Sequence, residues 1–143
     1  MRNKGLRLKS VTITAKEKIC FCESAVCDAE SCEYAKDYYG KVKYALSAAL
    51  EEEVLDRAAV EKYARLHNVC PFELSLDLSL QCDVIICDYN YLFDPRVCLK
   101  RYFTQRGDYC FLIDEAHNLV DRARDIFSCA LSKRAFFELK KSL

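Results

Sequence analysis

Cys20, Cys22, Cys27 and Cys32 crowd into a stretch with no convincing apolar period, and a fifth cysteine, Cys70, returns just before Pro71. A segment without a hydrophobic face cannot be held by packing, so residues 20–32 read as a loop organised by something other than a core. The chain has ten Cys in 143 residues, against three Gly and two Pro. Its amino terminus lacks the apolar core of an export signal, so thiolate chemistry, meaning metal or redox, explains these cysteines better than a disulfide framework.

Composition narrows the classes further. Hydrophobic residues make up 52% and charged residues 31%, too apolar for a disordered tail, and the length suits one domain of ordinary size. No run of about 18 uncharged apolar residues is present, so the expectation is a soluble, intracellular chain with no membrane partner. Lys+Arg and Asp+Glu balance at 22 each. Binding to nucleic acid by bulk charge alone is therefore excluded, although a local site is not.

The remaining patterns point to an α/β chain. Val11 and Ile13 alternate with Thr residues as a strand would. Ala35, Tyr38, Val42, Ala45 and Ala49 step by three and four, which predicts a helix over about 33–53 with that face buried. Asp56 is a suitable cap for a second helix with Ala59, Val60, Tyr63 and Ala64 inward, ending near Asn68. Residues 72–80 alternate Phe or Leu with polar residues, a strand period, yet Pro71 suits a first helical position and Leu74/Leu78 meet at helical spacing. Helix and strand are evenly matched there on the residues alone. Val84–Cys87 and Tyr109–Ile113 are short apolar runs of the kind found in strands buried on both faces of a parallel sheet. Asp94-Pro95 predicts a helix to about Thr104, a polar helix is expected around Leu119–Phe127, and Ser132 is a possible cap for a last helix through Leu139.

Asp114 and Glu115 directly follow the second run. Carboxylates at the end of a buried strand sit where open parallel sheets bind ligands, and nucleotide hydrolysis needs one carboxylate to hold Mg²⁺ and a second group to orient water. Such a pair alone reads first as a capped strand end. The tetrapeptide Asp114-Glu115-Ala116-His117 is more specific and resembles the second motif of superfamily 2 helicases. That resemblance implies that Asp114 binds the metal, Glu115 activates water and His117 couples the nucleotide to the nucleic-acid site. The phosphate loop G-x-x-x-x-G-K-[ST] has no match among Gly5, Gly40 and Gly107, so a complete ATPase is not expected from these residues alone.

Three loop thiols and a fourth returned by two helices can surround a polynuclear iron centre or a tetrahedral zinc, and spacing alone decides for neither. A cysteine group with a helical insertion, then Cys-Pro-Phe-Glu, Cys-Asp-Val-Ile-Ile-Cys-Asp-Tyr-Asn-Tyr-Leu-Phe-Asp-Pro and Asp-Glu-Ala-His-Asn-Leu, resembles the iron–sulfur helicases of the XPD/DinG family over roughly residues 10–128. The resemblance implies a RecA-like parallel-sheet motor domain with a mainly helical insertion carrying a [4Fe–4S] cluster, and it implies a helix over 72–80. Its ligands would be Cys20, Cys27, Cys32 and Cys70, with Cys22 competing for the place of Cys20. The other cysteines read as buried small hydrophobes, and His67 as a helix-end residue rather than a ligand.

On this resemblance, residues 1–18 belong to a motor-domain strand region, 19–71 to the cluster insertion, 72–128 to the rest of the motor domain, and 129–143 to a following helical region. The expected partners are DNA, as single strand and duplex junction, and the remaining helicase domains, with Mg²⁺ and ATP as cofactors of the intact enzyme. Tyr91, Lys36 and Lys41 are the candidate DNA contacts, although tyrosines in a core and lysines on a solvated face are equally good readings. The leading expectation is part of an ATP-dependent 5′–3′ DNA helicase, cytoplasmic or nucleoid-associated. The competing expectations are a stand-alone, non-catalytic metal-cluster module that binds nucleic acid, and a redox protein.

Overall fold

Val11 is fully buried in the central strand of a three-stranded parallel sheet, and most of the fold follows from what surrounds it. The structure is a computed structural model and describes residue 5, residues 7–22, 27–28, 30–103 and 107–129, and residue 140. The chain divides into two compact units, Met1–Asp88 and Tyr89–Leu143.

The first unit contains β1 (Ser10–Thr12), α1 (Lys16–Ile19), α2 (Tyr38–Ala49), β2 (Val54–Leu55), α3 (Arg57–His67), α4 (Pro71–Ser79) and β3 (Val84–Ile86). The strand order is β2-β1-β3, with Ser10 opposite both Val54 and Val84, and Val11 opposite both Leu55 and Ile85. Parallel neighbours require long crossovers, and the helices supply them. β3 lies at the sheet edge and leaves Val84 and Ile86 exposed, so only Ile85 packs on the core. The two-sided burial expected for this run is not found among the described residues, where Val84 and Ile86 lack a covering layer.

The core joins Val11, Ile19 and Leu55 to Tyr38, Val42, Ala45 and Ala49 of α2, Val60, Tyr63 and Ala64 of α3, and Leu74 and Leu78 of α4. α2 is shorter than the expected 33–53 and leaves Ala35 before its start, but Tyr38, Val42, Ala45 and Ala49 face inward as expected; on α3 Val60, Tyr63 and Ala64 do so and Ala59 is partly buried. Asp56 caps α3 by accepting the Ala59 N–H at 2.9 Å, and Asn68 ends it in a left-handed conformation, φ 51°. Lys9 ties the sheet to α2, since its ammonium donates to the carbonyl of Leu50 at the helix end.

α4 explains the ambiguous alternation of residues 72–80. Leu74, Leu76 and Leu78 are all buried together with Pro71, Ser75 and Ser79, so the helix is enclosed on most of its circumference and has no single polar face. The two serines satisfy themselves, donating to Phe72 O at 2.7 Å and Leu76 O at 2.6 Å.

The second unit contains α5 (Asn90–Phe93), α6 (Lys100–Phe103), a 3₁₀ turn (Ala116–Asn118) and α7 (Leu119–Phe127). The helix expected from Asp94 to Thr104 is replaced by a turn and the short α6. Asp94 spends its carboxylate on the Arg96 N–H at 2.9 Å and the Arg96 guanidinium at 2.7 Å, which closes a local turn instead of capping a helix. Tyr109–Ile113 is not a strand among the described residues, and Leu112 is 93% exposed. The buried-strand expectation is corrected here: an apolar run becomes a strand only where a neighbouring strand takes its N–H and C=O groups, and none does so among the described residues. Tyr102, Phe103, Tyr109 and Phe111 instead form an aromatic cluster, with centroids 6.2–6.5 Å apart. The expected Ser132 cap and its helix lie outside the described residues.

Candidate metal centre and acidic box

Cys20 ends α1 and Cys70 is the N-cap residue of α4, so the thiols come from segments distant in sequence. Cys22 Sγ lies 3.8 Å from Cys32 Sγ, and the Cys22 N–H donates to Cys20 Sγ at 3.4 Å. The Cys22 thiol is pushed up to about 11, chiefly by its hydrogen bond with Cys32, then by partial burial and the neighbouring charges of Cys32 and Cys20. Cys70 is raised first by burial; the N–H groups of Glu73 and Phe72 at the helix start work against this, while Glu73 and Cys20 add to it.

Cys27 is tied in by Lys16. The hydrogen bond with Cys27 is the main cause that holds the Lys16 ammonium above the ordinary lysine range, opposed by partial burial and aided by the charges of Cys27, Cys70 and Glu73. Lys16 thus links Cys27 to Cys70, while Cys22 is tied to Cys32 and Cys20.

Cys22 and Cys70 thus resist ionisation, Cys22 chiefly through its hydrogen bond with Cys32 and Cys70 chiefly through burial. A bound metal cation reverses this balance, and binding releases the protons. The donor set suits a thiolate-held metal centre, although among the described residues no three Cys, His, Asp or Glu side chains are arranged around a single ion. His67 Nε2 is buried and pairs with no described group.

The other cysteines are less uniform than their reading as buried hydrophobes. Cys82 and Cys98 are partly covered, but Cys87, Cys110 and Cys129 are exposed.

In the acidic box, Asp114 Oδ1 accepts the Glu115 N–H at 2.9 Å, and His117 Nε2 stands 3.3 Å from Glu115 Oε2. Glu115 is held at φ 52°, in the left-handed region that a glutamate rarely occupies. The turn thus brings the three predicted residues together on one exposed loop.

Of the predicted DNA contacts, Lys36 is exposed at the entry to α2. Lys41 donates to the Asn68 carbonyl at 2.9 Å and so serves the end of α3. Tyr91 is partly buried, and its carbonyl accepts the Leu99 N–H at 2.9 Å. Sequence reasoning missed Lys16, one helical turn before Cys20, and Tyr39, which is 88% exposed on α2. Lys16's spacing from Cys20 was the available signal.

A parallel sheet with helical insertions makes this an α/β protein, and the Asp-Glu-Ala-His turn that follows in sequence is consistent with a superfamily 2 helicase-like domain. A family model described as DEAD_2 matches residues 5–136, and the chain belongs to that family. The chain is 26% identical over 146 residues to Regulator of telomere elongation helicase 1 of Rattus norvegicus, covering 94% of this chain and 11% of the relative. It is 31% identical over 112 residues to the Fanconi anemia group J protein homolog of Gallus gallus, covering 73% and 8%. The human Regulator of telomere elongation helicase 1 is 27% identical over 131 residues, covering 83% and 11%. Homology to XPD/DinG-type helicases therefore holds at low identity, and the chain spans about a tenth of the length of the curated relatives it matches.

Proposed function

We propose that this chain supplies the cluster insertion and the acidic box of an ATP-dependent 5′–3′ DNA helicase, within a RecA-like motor domain. The observation that carries the reading is the pair of thiol contacts Cys20–Cys22–Cys32, with Lys16 linking Cys27 to Cys70, in a DEAD_2 chain whose Asp-Glu-Ala-His turn follows downstream.

In this reading Cys20, Cys27, Cys32 and Cys70 hold a [4Fe–4S] cluster, and Cys22 competes for the first place. When bound, the cluster supplies a covalent tie between segments far apart in sequence and a redox-active centre. Lys16 offsets part of the thiolate charge. In the intact enzyme, Asp114 holds Mg²⁺ beside the nucleotide, Glu115 orients water, and His117, paired with Glu115, links the nucleotide to the nucleic-acid site. Lys36 and Tyr91 are the proposed DNA contacts, joined by the exposed Tyr39, whose ring can stack on a base. Contact by Lys41 requires it to exchange the Asn68 carbonyl for a phosphate.

Anaerobic purification of the chain tests this reading. A brown protein with about four irons and as many acid-labile sulfides per chain is expected. A colourless protein with one zinc ion, or none, overturns the cluster assignment.

A further inference from the structure

Phe21 stands between Cys20 and Cys22 in the chain, and its ring packs partly buried against the core. The Arg65 guanidinium carbon lies 3.7 Å from the centroid of that ring, and Tyr34 meets it edge-on, with centroids 5.1 Å apart and planes at 67°. Both are favoured geometries, a cation over a ring face and a positive ring edge against a neighbour's face.

Each partner belongs to a segment that carries a thiol. Phe21 separates Cys20 from Cys22, Tyr34 follows Cys32 by two residues, and Arg65 lies on α3 five residues before Cys70. We infer that Phe21, Arg65 and Tyr34 form a clamp that brings the thiol-bearing segments into register before any metal binds. This inference rests on the reading of those thiols as a metal centre.

Burial alone does not explain the arrangement. The core face of α3 is Val60, Tyr63 and Ala64, whereas Arg65 is exposed and leans over the ring from beside that face. The clamp residues are positioning residues, since they bring the thiols together and donate no ligand.

The test has one arm without metal and one with it. In the metal-free chain, diamide takes two electrons and two protons from Cys22 and Cys32, whose sulfurs are 3.8 Å apart, and leaves a disulfide that peptide mass spectrometry quantifies. Phe21→Ala and Arg65→Gln are expected to slow this crosslink several-fold, Arg65→Lys to restore most of the rate, and Tyr44→Ala, at an exposed ring on α2, to leave it unchanged. Because Arg65 is exposed, its variants keep the fold, as circular dichroism will verify. In chain reconstituted with ferrous iron and sulfide, the same two variants are expected to lose visible absorbance to a chelator several-fold faster than wild type, again with rescue by Arg65→Lys. Arg65→Gln crosslinking at the wild-type rate overturns the clamp. Clamp-dependent crosslinking in a wild-type chain that takes up no iron leaves the clamp standing and removes the cluster reading instead.

Discussion

The Tyr38 hydroxyl donates a hydrogen bond to Asp77 across 2.9 Å and so joins the first turn of α2 to the last turn of α4. Tyr38 is 8% exposed, so its hydroxyl is largely cut off from water. Tyr38→Phe removes the donor and leaves a carboxylate less well satisfied, at a cost of about 1–3 kcal/mol, or several degrees of melting temperature. Burial first, and the Asp77 bond second, push the Tyr38 phenol far above the ordinary tyrosine range. A group whose folded pKa is raised stabilises the fold below its unfolded value, about 10, and loses that contribution as pH rises above it. Thermal melts between neutral pH and pH 11 should show an alkaline loss in wild type that is smaller in Tyr38→Phe. Equal alkaline slopes refute the assignment.

Asp56→Ala removes the cap of α3 and should cost about 1 kcal/mol. Leu74→Ala, at a fully buried site, should cost about 2–5 kcal/mol. Urea titration of both variants ranks a single capping bond against a core cavity. The reverse order would mean that α4 is not packed as described.

These two helices also show what the sequence could express. α3 was legible because every determinant is local: Asp56 at its start, an inward stripe at helical spacing and Asn68 at its end. α4 was not legible by period, since burial around most of its circumference erases the polar face on which the period depends; Pro71 and the family resemblance identified it. β2 was missed because Val54–Leu55 is a strand only through its pairing with β1, more than forty residues earlier. Tyr109–Ile113 failed in the opposite direction, with strand-like composition and no strand partner among the described residues. At the site, the thiols could be named from their crowding, whereas the Phe21–Arg65 contact joins loop to helix across a separation that no local pattern encodes.

His67 Nε2 is buried without a described partner, an arrangement that costs about 1–3 kcal/mol. His67→Leu keeps a similar volume and removes the polar atom. Its melting temperature should equal or exceed that of wild type, with iron content unchanged. A fall in iron content would make His67 a ligand, contrary to its reading as a helix-end residue.

Arg96 holds the Asp94 carboxyl below the usual carboxylate range, through its side chain first and its N–H second. A depressed carboxyl stabilises the fold above its unfolded pKa, about 4, and that contribution disappears as pH falls through the folded value. Arg96→Met should raise the Asp94 titration midpoint followed by NMR. It should also reduce the acid-side loss of stability below about pH 4. An unmoved midpoint would show that the guanidinium pair is absent in solution.

In the proposed cluster Cys20 and Cys22 compete for one ligand position, and their neighbours separate them. Cys20 contributes a minor charge effect at Cys70, the thiol at the start of α4, whereas Cys22 lies 3.8 Å from Cys32. A ligand that bridges the loop to Cys70 is the one whose loss opens the cluster. Cys20→Ser is therefore expected to abolish most iron uptake, as is Cys70→Ser, because serine is a poor replacement for a thiolate on iron. Cys22→Ser should retain near wild-type iron and also block the diamide crosslink to Cys32. Cys82→Ser, outside the thiol group, should change neither. If Cys22→Ser loses the iron and Cys20→Ser keeps it, the two exchange roles while the other three ligands stay as assigned.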